Sequence, residues 1–337
     1  MPEEPADGGM PSTDTPVPPP SPIPDPEPAP PAKARRKMRR RTKWIIAVGI
    51  VLILVLSGVM AVSWVAGQSL LHPKRDTNTS TPSALNLTWQ WANFTTADDV
   101  PIVGWWIPAD NATGTVIFLH GYSDAKAQGL PMFPFLHNAS VNVMAFDFRA
   151  HGQSGGAYTT AGLLETREVD AAILWVENRT HRDERNIVLL GWSMGGAAAI
   201  NAAAHYPDLG GVIADASFSR LHNIVDTSIG KFTGLPRWPF GPLAVKFASM
   251  SIGIDINDNA PVEAIASFHG PLLLIQGLAD TTVVPSNVDE IAAAAPQAVV
   301  WKVPGAGHTE CYKTDPHGYE LHVVAFLAAH LSNPPPS

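Results

Sequence analysis

The chain has 337 residues, 22 basic and 30 acidic side chains, a formal net charge of −8 and one cysteine, Cys311. This length allows one folded core of about 250 residues with appended segments. The acidic balance argues against a nucleic-acid partner, and a single cysteine excludes an intramolecular disulfide.

Three segments precede the expected core. Residues 1–32 are rich in proline and poor in large apolar side chains, which predicts a disordered spacer. Residues 33–43 carry eight basic side chains, and residues 44–66 carry no charge. As a helix, this uncharged run is about 34 Å long, enough to span a bilayer. Trp44 and Trp64 lie near its two ends, as interfacial aromatics do.

A basic cluster before a span predicts a cytoplasmic N-terminus and an exterior remainder. The apolar run is too long, and begins too far into the chain, for a cleaved signal peptide, so we interpret it as a signal anchor in a single-pass membrane protein. With the eight basic and six acidic residues of positions 1–43 set aside, the remainder has a net charge of −10. Six glycosylation sequons in that part predict a glycoprotein; they begin at Asn78, Asn86, Asn93, Asn111, Asn138 and Asn178.

The folded domain is expected at 84–332, after a linker at 67–83. Residues 87–94 and 100–107 predict two antiparallel edge strands, and the apolar run 115–119 predicts a buried third strand. A glycine-rich loop follows at 147–156, but no Gly-Lys-Ser/Thr ending or G-x-G-x-x-G opening accompanies it, which excludes nucleotide binding. Asp147, Arg149 and His151 are expected to hold this loop in place.

The motif Gly191-Trp192-Ser193-Met194-Gly195 follows an apolar run and precedes the alanine-rich residues 196–204. Strand, tight turn and helix around a serine are the nucleophile-elbow pattern. Side chains at the two glycine positions would collide with neighbouring backbone in such a turn. The pattern therefore predicts Ser193 as a nucleophile, with the Met194 N–H free to stabilise an oxyanion.

A matching acid and histidine follow in the order that this fold requires. The apolar run 271–276 predicts a buried strand, and Asp280 lies just past its end. The run 298–303 predicts another strand, and His308 follows it on a glycine-rich loop. Asp215, after the predicted strand 211–214, is the competing acid. We prefer Asp280 because its loop keeps a Gly-x-x-Asp-x-x-Val-Val-Pro pattern.

The other candidate site residues surround this triad. Tyr122, on the loop after the third strand, is expected to supply the second oxyanion N–H. His120 is interpreted as a structural residue that braces this loop, and Cys311 as a structural thiol. Residues 217–268 predict a small cap over the nucleophile, in which Trp238 and Phe240 are expected to line an apolar substrate site.

These motifs, over residues 87–331, resemble the α/β-hydrolases of the serine aminopeptidase or prolyl-oligopeptidase-like branch, and the residues after His308 resemble its membrane-anchored subset. The resemblance implies an α/β fold with an eight-stranded, mostly parallel sheet and helices on both faces. It implies Ser193 as nucleophile, His308 as base and Asp280 as its orienting acid, with no metal or organic cofactor.

Three functions are consistent with these patterns. The leading hypothesis is a membrane-tethered serine hydrolase that cleaves carboxylic esters, such as acylglycerols, through a Ser-His-Asp triad and an acyl-enzyme. The second is a serine peptidase that acts on short peptides, although the sequence offers no evident acidic pair to bind a substrate terminus. The third is a noncatalytic surface-binding protein that retains the fold. Acyl-chain length, natural substrate and oligomeric state stay open.

Overall fold

The computed structural model describes residues 16–19, 21, 25 and 39–331. The predicted Pro-rich segment at 1–32 and basic run at 33–43 lie largely outside the described residues. Two units divide the chain, one ending at Val51 and the other running from Leu52 to Ser337. In the first unit, the described residues from Arg40 onward form the start of helix α1, Arg40–Leu71.

Eight strands form one sheet in the second unit. They are β1 Gln90–Thr95, β2 Pro101–Ile107, β3 Gly114–Leu119, β4 Val141–Phe146, β5 Ile187–Trp192, β6 Gly211–Asp215, β7 Leu272–Gly277 and β8 Val299–Val303. Their order across the sheet is β1-β2-β4-β3-β5-β6-β7-β8. The pairs β1–β2 and β2–β4 are antiparallel, and the other pairs are parallel. This confirms the predicted eight-stranded, mostly parallel α/β sheet.

The central strands are apolar on both faces because helices cover both. Every residue of β3, β5 and β7 is buried, as expected for parallel strands inside an α/β fold. Alternate residues of β3 enter two different cores, Ile117 and Leu119 on one face and Val116 and Phe118 on the other. Because these strands are parallel, their carboxyl ends lie at one edge of this two-sided core.

Nine further helices follow α1 in the described residues. They are α2 Phe133–Asn138, α3 Thr166–Thr180, α4 Met194–Ala203, α5 Leu221–Thr233, α6 Arg237–Ile252, α7 Pro261–Ala264, α8 Ser286–Ala294, α9 Cys311–Thr314 and α10 Pro316–His330. Core residues of α3, α4 and α8 pack on one face of the sheet, and those of α2 and α10 on the other. Helices α5 and α6 lie between β6 and β7, inside the segment predicted as the cap.

Helix α1 is longer than the predicted span. It continues to Leu71, so the segment predicted as a linker from residue 67 begins with helix. Ser63, Gly67 and Leu71 recur every fourth residue and are buried within the second unit. A Cβ at Gly67 would collide with the carbonyl oxygen of Ala244 on α6, so glycine permits close contact between the two helices, as small residues do in membrane helix pairs.

The chain after α1 is held to the folded domain by one arginine. The Arg75 guanidinium donates hydrogen bonds to the carbonyl oxygens of His151, Gly152 and Ser154, at 3.0, 3.0 and 2.6 Å. A fourth bond reaches the Gly156 carbonyl at 3.3 Å. The end of α1 and the glycine-rich loop are therefore fixed relative to each other.

A buried ion pair joins the loop after β3 to the loop after β4. The Lys126 ammonium lies 2.6 Å from the Asp147 carboxylate, with both side chains almost fully buried. The backbone N–H groups of Lys126 and Gln153 also donate to this carboxylate, each at 2.8 Å. Asp147 thus fixes the glycine-rich loop, as the sequence predicted, and also the loop that carries Tyr122.

We expect Lys126→Met to destabilise the protein by about 3–5 kcal/mol, because it leaves the Asp147 carboxylate buried without its cation. Urea unfolding of the full chain in detergent, followed by tryptophan fluorescence, measures the change. Lys313→Met is the matched control: its ion pair with Glu310 is exposed, and we expect less than about 1 kcal/mol. Equal effects of the two variants would contradict a structural role for the buried pair.

Candidate active site

Ser193 lies at a sharp turn between β5 and α4. Its backbone adopts φ 52° and ψ −113°, a conformation that costs a non-glycine residue on the order of 1–3 kcal/mol. A Cβ at Gly195 would collide with the carbonyl oxygens of Leu119 and His120, and a Cβ at Gly191 with the backbone of Gly195. Gly191 is therefore required for the turn to close and Gly195 for it to pack against the end of β3, as the elbow pattern predicted.

The structure brings Ser193, His308 and Asp280 together in a hydrogen-bonded row. The His308 Nε2 atom lies 2.9 Å from the Ser193 hydroxyl oxygen, and its Nδ1 atom lies 2.7 Å from an Asp280 carboxylate oxygen. The Asp280 side chain is fully buried, whereas a quarter of the His308 side chain is exposed. This order allows the imidazole to take a proton from the serine while the carboxylate fixes its tautomer.

Backbone donors hold the Asp280 carboxylate in place. The N–H groups of Thr282 and Val283 donate to the carboxylate oxygen that does not contact the histidine, at 2.7 and 2.9 Å. The Gln276 amide lies 3.4 Å from the other oxygen. These contacts orient the carboxylate toward the imidazole.

The Asp280 and His308 loops approach each other closely at the ends of β7 and β8. The Ala279 N–H donates to the Ala306 carbonyl at 2.9 Å. A Cβ at Gly277 would collide with that same carbonyl oxygen. The glycine that ends β7 therefore allows the contact that places the acid beside the histidine.

Asp215, the competing acid, occupies a different position. It is fully buried at the end of β6, near Cys311 and Tyr319, and burial raises its pKa to about 7. The Tyr319 hydroxyl in turn accepts a hydrogen bond from the Trp192 indole at 2.9 Å. The histidine contacts Asp280, so the geometry favours the acid that the loop pattern indicated.

Cys311 is buried, and burial raises the pKa of its thiol.

The loop after β3 lies beside the nucleophile. Tyr122 and Met194, the two expected oxyanion donors, line one cavity together with Ser193 and His308. His120 is fully buried; its Nε2 atom accepts from the Phe148 N–H at 3.0 Å, and its Nδ1 atom lies 2.7 Å from the Gly121 carbonyl. His120 thus braces the loop, as predicted, rather than facing the serine.

The cavity above Ser193 has a volume of about 780 Å³ and a largely apolar lining, within the range of small-molecule sites. From the cap, Phe240 lines it together with residues of α5. Trp238 does not line it: its side chain is 77% exposed, and its backbone, at φ −102° and ψ 135°, breaks the helix before Pro239. The expectation that Trp238 contributes to the site is therefore wrong, because the kink directs this side chain outward.

Sequence reasoning missed one wall of this cavity. Six residues of α1, between Ala61 and Leu70, contribute to its lining. The signal present in the sequence was the pair of small residues Ser63 and Gly67 at the end of the apolar run, a spacing typical of close helix contact. Among residues 39–331, no group of three or more His, Cys, Asp or Glu side chains is arranged to hold a metal ion.

Comparisons with known proteins agree with this architecture. The family described as serine aminopeptidase, S33, matches residues 110–252. The Escherichia coli (strain K12) protein YfhR is 28% identical over 250 residues, which cover 71% of this chain and 80% of that protein. An esterase of Pyrococcus furiosus is 30% identical and superimposes with a TM-score of 0.67, over 78% of this chain and 98% of the esterase. A Pyrococcus horikoshii acylaminoacyl peptidase shares the fold, with 13% identity and a TM-score of 0.56. The superposition covers 74% of this chain and 43% of the peptidase.

We expect Asp215→Asn to change how stability depends on pH. The native pKa of about 7 exceeds the ordinary value of 3.8, so unfolding releases a proton between these values and stability falls as pH rises through that window. Asp215→Asn has no titrating group at this position and does not lose stability in this way. The Tm of the variant minus the Tm of wild type should therefore become more positive between about pH 5 and about pH 8. Thermal melts of the full chain in detergent measure the change, with the exposed Asp110→Asn as control. Parallel wild-type and Asp215→Asn curves would contradict the raised pKa.

Proposed function

The chain belongs to the α/β-hydrolase family of serine hydrolases, and from this premise we propose that it hydrolyses carboxylic esters such as acylglycerols. The observation that carries the proposal is the Ser193–His308–Asp280 row at the floor of an apolar cavity. The similar Pyrococcus furiosus protein is an esterase, which supports an ester substrate over other acyl compounds.

The first half of the proposed reaction acylates the serine. The His308 Nε2 atom removes the Ser193 hydroxyl proton as the oxygen attacks the ester carbonyl, and Asp280 stabilises the imidazolium that forms. The N–H groups of Tyr122 and Met194 donate to the developing oxyanion. The imidazolium then gives its proton to the departing alcohol, which leaves an acyl-enzyme on Ser193.

The second half releases the acid. A water molecule gives a proton to His308 and attacks the acyl carbonyl, and the same two N–H groups stabilise the second oxyanion. When the intermediate collapses, the imidazolium returns the proton to the Ser193 oxygen. The carboxylic acid leaves, and the enzyme regains its starting protonation state.

We further propose that α1 tethers the enzyme to a membrane with the catalytic domain outside. The helix has a window of mean hydropathy 3.0 that is unburied within the protein, and basic residues precede it. The asparagines of all six sequons are exposed, as glycosylation requires. The signal-anchor topology and the glycosylation are part of this proposal.

A serine peptidase is the second candidate function. One observation favours it: Asp124 lines the cavity, where a carboxylate could bind the ammonium group of a peptide. Burial and the neighbouring Asp76 raise the pKa of Asp124 to about 6. At or below about pH 6, a large fraction of this side chain is therefore protonated and neutral, and binds an ammonium group less strongly. Comparing hydrolysis of acyl esters with hydrolysis of aminoacyl amides and dipeptides separates the two functions.

We expect a fluorophosphonate probe to modify the full chain in detergent at Ser193, because only an activated serine attacks such a probe. Mass spectrometry locates the adduct. Ser193→Ala and His308→Ala should abolish it, whereas Ser267→Ala, at an exposed serine outside the cavity, should not. No adduct on the folded wild type would overturn the proposal and favour the surface-binding alternative.

We expect the two buried acids to differ in their effect on ester hydrolysis. Asp280→Asn removes the group that fixes the His308 tautomer, so kcat should fall about 10⁴-fold. Asp215→Asn leaves the Ser193–His308 contact intact and should lower kcat less than about tenfold. A steady-state assay with a short-chain ester measures both. The reverse ranking would identify Asp215 as the acid of the triad.

A further inference from the structure

One face of α1 forms a wall of the substrate cavity. The lining residues recur in adjacent pairs every fourth position, as residues on one side of a helix do; they are Ala61, Val62, Val65, Ala66, Ser69 and Leu70. From first to last they extend about 14 Å along the helix axis. The cavity wall is therefore a continuous helical surface that begins inside the apolar run and ends at Leu70, in the cavity that Ser193 also lines.

Several contacts hold this helical surface in position. Trp64 packs edge-on against Phe247 of α6, with ring centroids 5.7 Å apart. The Gln68 amide donates to the Ser251 hydroxyl at 2.8 Å. The Tyr122 hydroxyl donates to the Ser69 carbonyl at 2.6 Å. The last contact joins the helix to the residue whose backbone N–H we assign to the oxyanion.

The end of α1 is also part of the domain core. Leu71 is fully buried among the residues of one sheet face, and its carbonyl accepts from the Thr159 N–H at 2.9 Å. The cavity wall is therefore built into the catalytic domain rather than resting on it.

The same helix is apolar and exposed immediately before the cavity. Ile53, Leu54 and Leu56 are 64, 65 and 62% exposed, and the uncharged run that contains them extends to residue 66. Helix α6, which packs on α1, adds two large exposed apolar side chains, Trp238 and Met250. If α1 spans a bilayer, the part of the cavity formed by residues 61–66 lies at the level of the lipid.

We propose that the substrate is a membrane-resident lipid ester whose acyl chain moves from the bilayer along α1 into the cavity. This inference rests on the proposed esterase function and names its substrate class. Direct entry avoids transfer of the acyl chain from the bilayer into water. Each methylene group in the chain makes the equilibrium constant of that transfer about fourfold less favourable. The anchor helix thus determines substrate specificity in addition to attaching the enzyme.

Two fluorogenic esters test the helical wall, 4-methylumbelliferyl palmitate and 4-methylumbelliferyl acetate, with the full chain reconstituted in phosphatidylcholine vesicles. Val65→Trp and Ala61→Trp place a large ring in the cavity. Each should lower the palmitate-to-acetate ratio of kcat/KM at least about tenfold, the equivalent of roughly two methylene groups of lost burial. Val55→Trp, on the lipid-exposed part of the helix outside the cavity lining, should leave the ratio unchanged.

The source of the substrate is tested with the wild-type enzyme. Palmitate ester in the vesicles that hold the enzyme should be hydrolysed at least about tenfold faster than the same ester supplied in separate vesicles, whereas acetate ester dissolved in water should show no such difference. Equal palmitate rates from both vesicle populations, or equal ratios for Val65→Trp and Val55→Trp, would overturn this inference and leave the esterase proposal intact.

Failure of the esterase proposal has a different signature. Fluorophosphonate labelling of Ser193 first shows that each reconstituted variant is folded. A labelled wild type that hydrolyses neither ester would overturn the esterase function, and the lipid substrate with it.

Discussion

The site depends on one backbone constraint, the positive φ angle of Ser193 between β5 and α4. This conformation is tolerated because Gly191 and Gly195 let strand, turn and helix approach more closely than side chains would allow. The strain is maintained by a core that is apolar on both faces of the sheet. As a result, the serine hydroxyl is held within hydrogen-bond reach of His308, and the first N–H of α4 lies beside it.

The neighbouring strands place the other site residues. Parallel strands end at one edge of the sheet, so residues that are far apart in sequence lie close together there. Gly277 permits contact between the loops of Asp280 and His308, and the Lys126–Asp147 ion pair fixes the loop that carries Tyr122. The Lys126–Asp147 pair is almost fully buried, and the low dielectric of the interior strengthens its attraction.

The sheet and the Ser193–His308–Asp280 row were predictable because apolar runs mark buried strands and the site residues follow directly after them. Their catalytic roles stay predictions. The cap was less predictable, because whether a tryptophan faces a cavity or solvent depends on a local kink. Trp238 faces solvent, whereas Phe240 lines the cavity. The contribution of α1 was missed because hydropathy reports the length of a span and not which of its faces contacts protein.

A bifunctional probe tests most directly whether the anchor helix and the nucleophile form one site. The probe is a long-chain alkyl fluorophosphonate with a photoreactive diazirine at the end of its chain, applied to the full protein in phosphatidylcholine vesicles. After the phosphorus has reacted with Ser193, we expect illumination to crosslink the chain end to α1 within residues 52–70. Crosslinks confined to helices other than α1, or no bond to Ser193, would contradict a cavity shared by the hydrolase domain and its membrane helix.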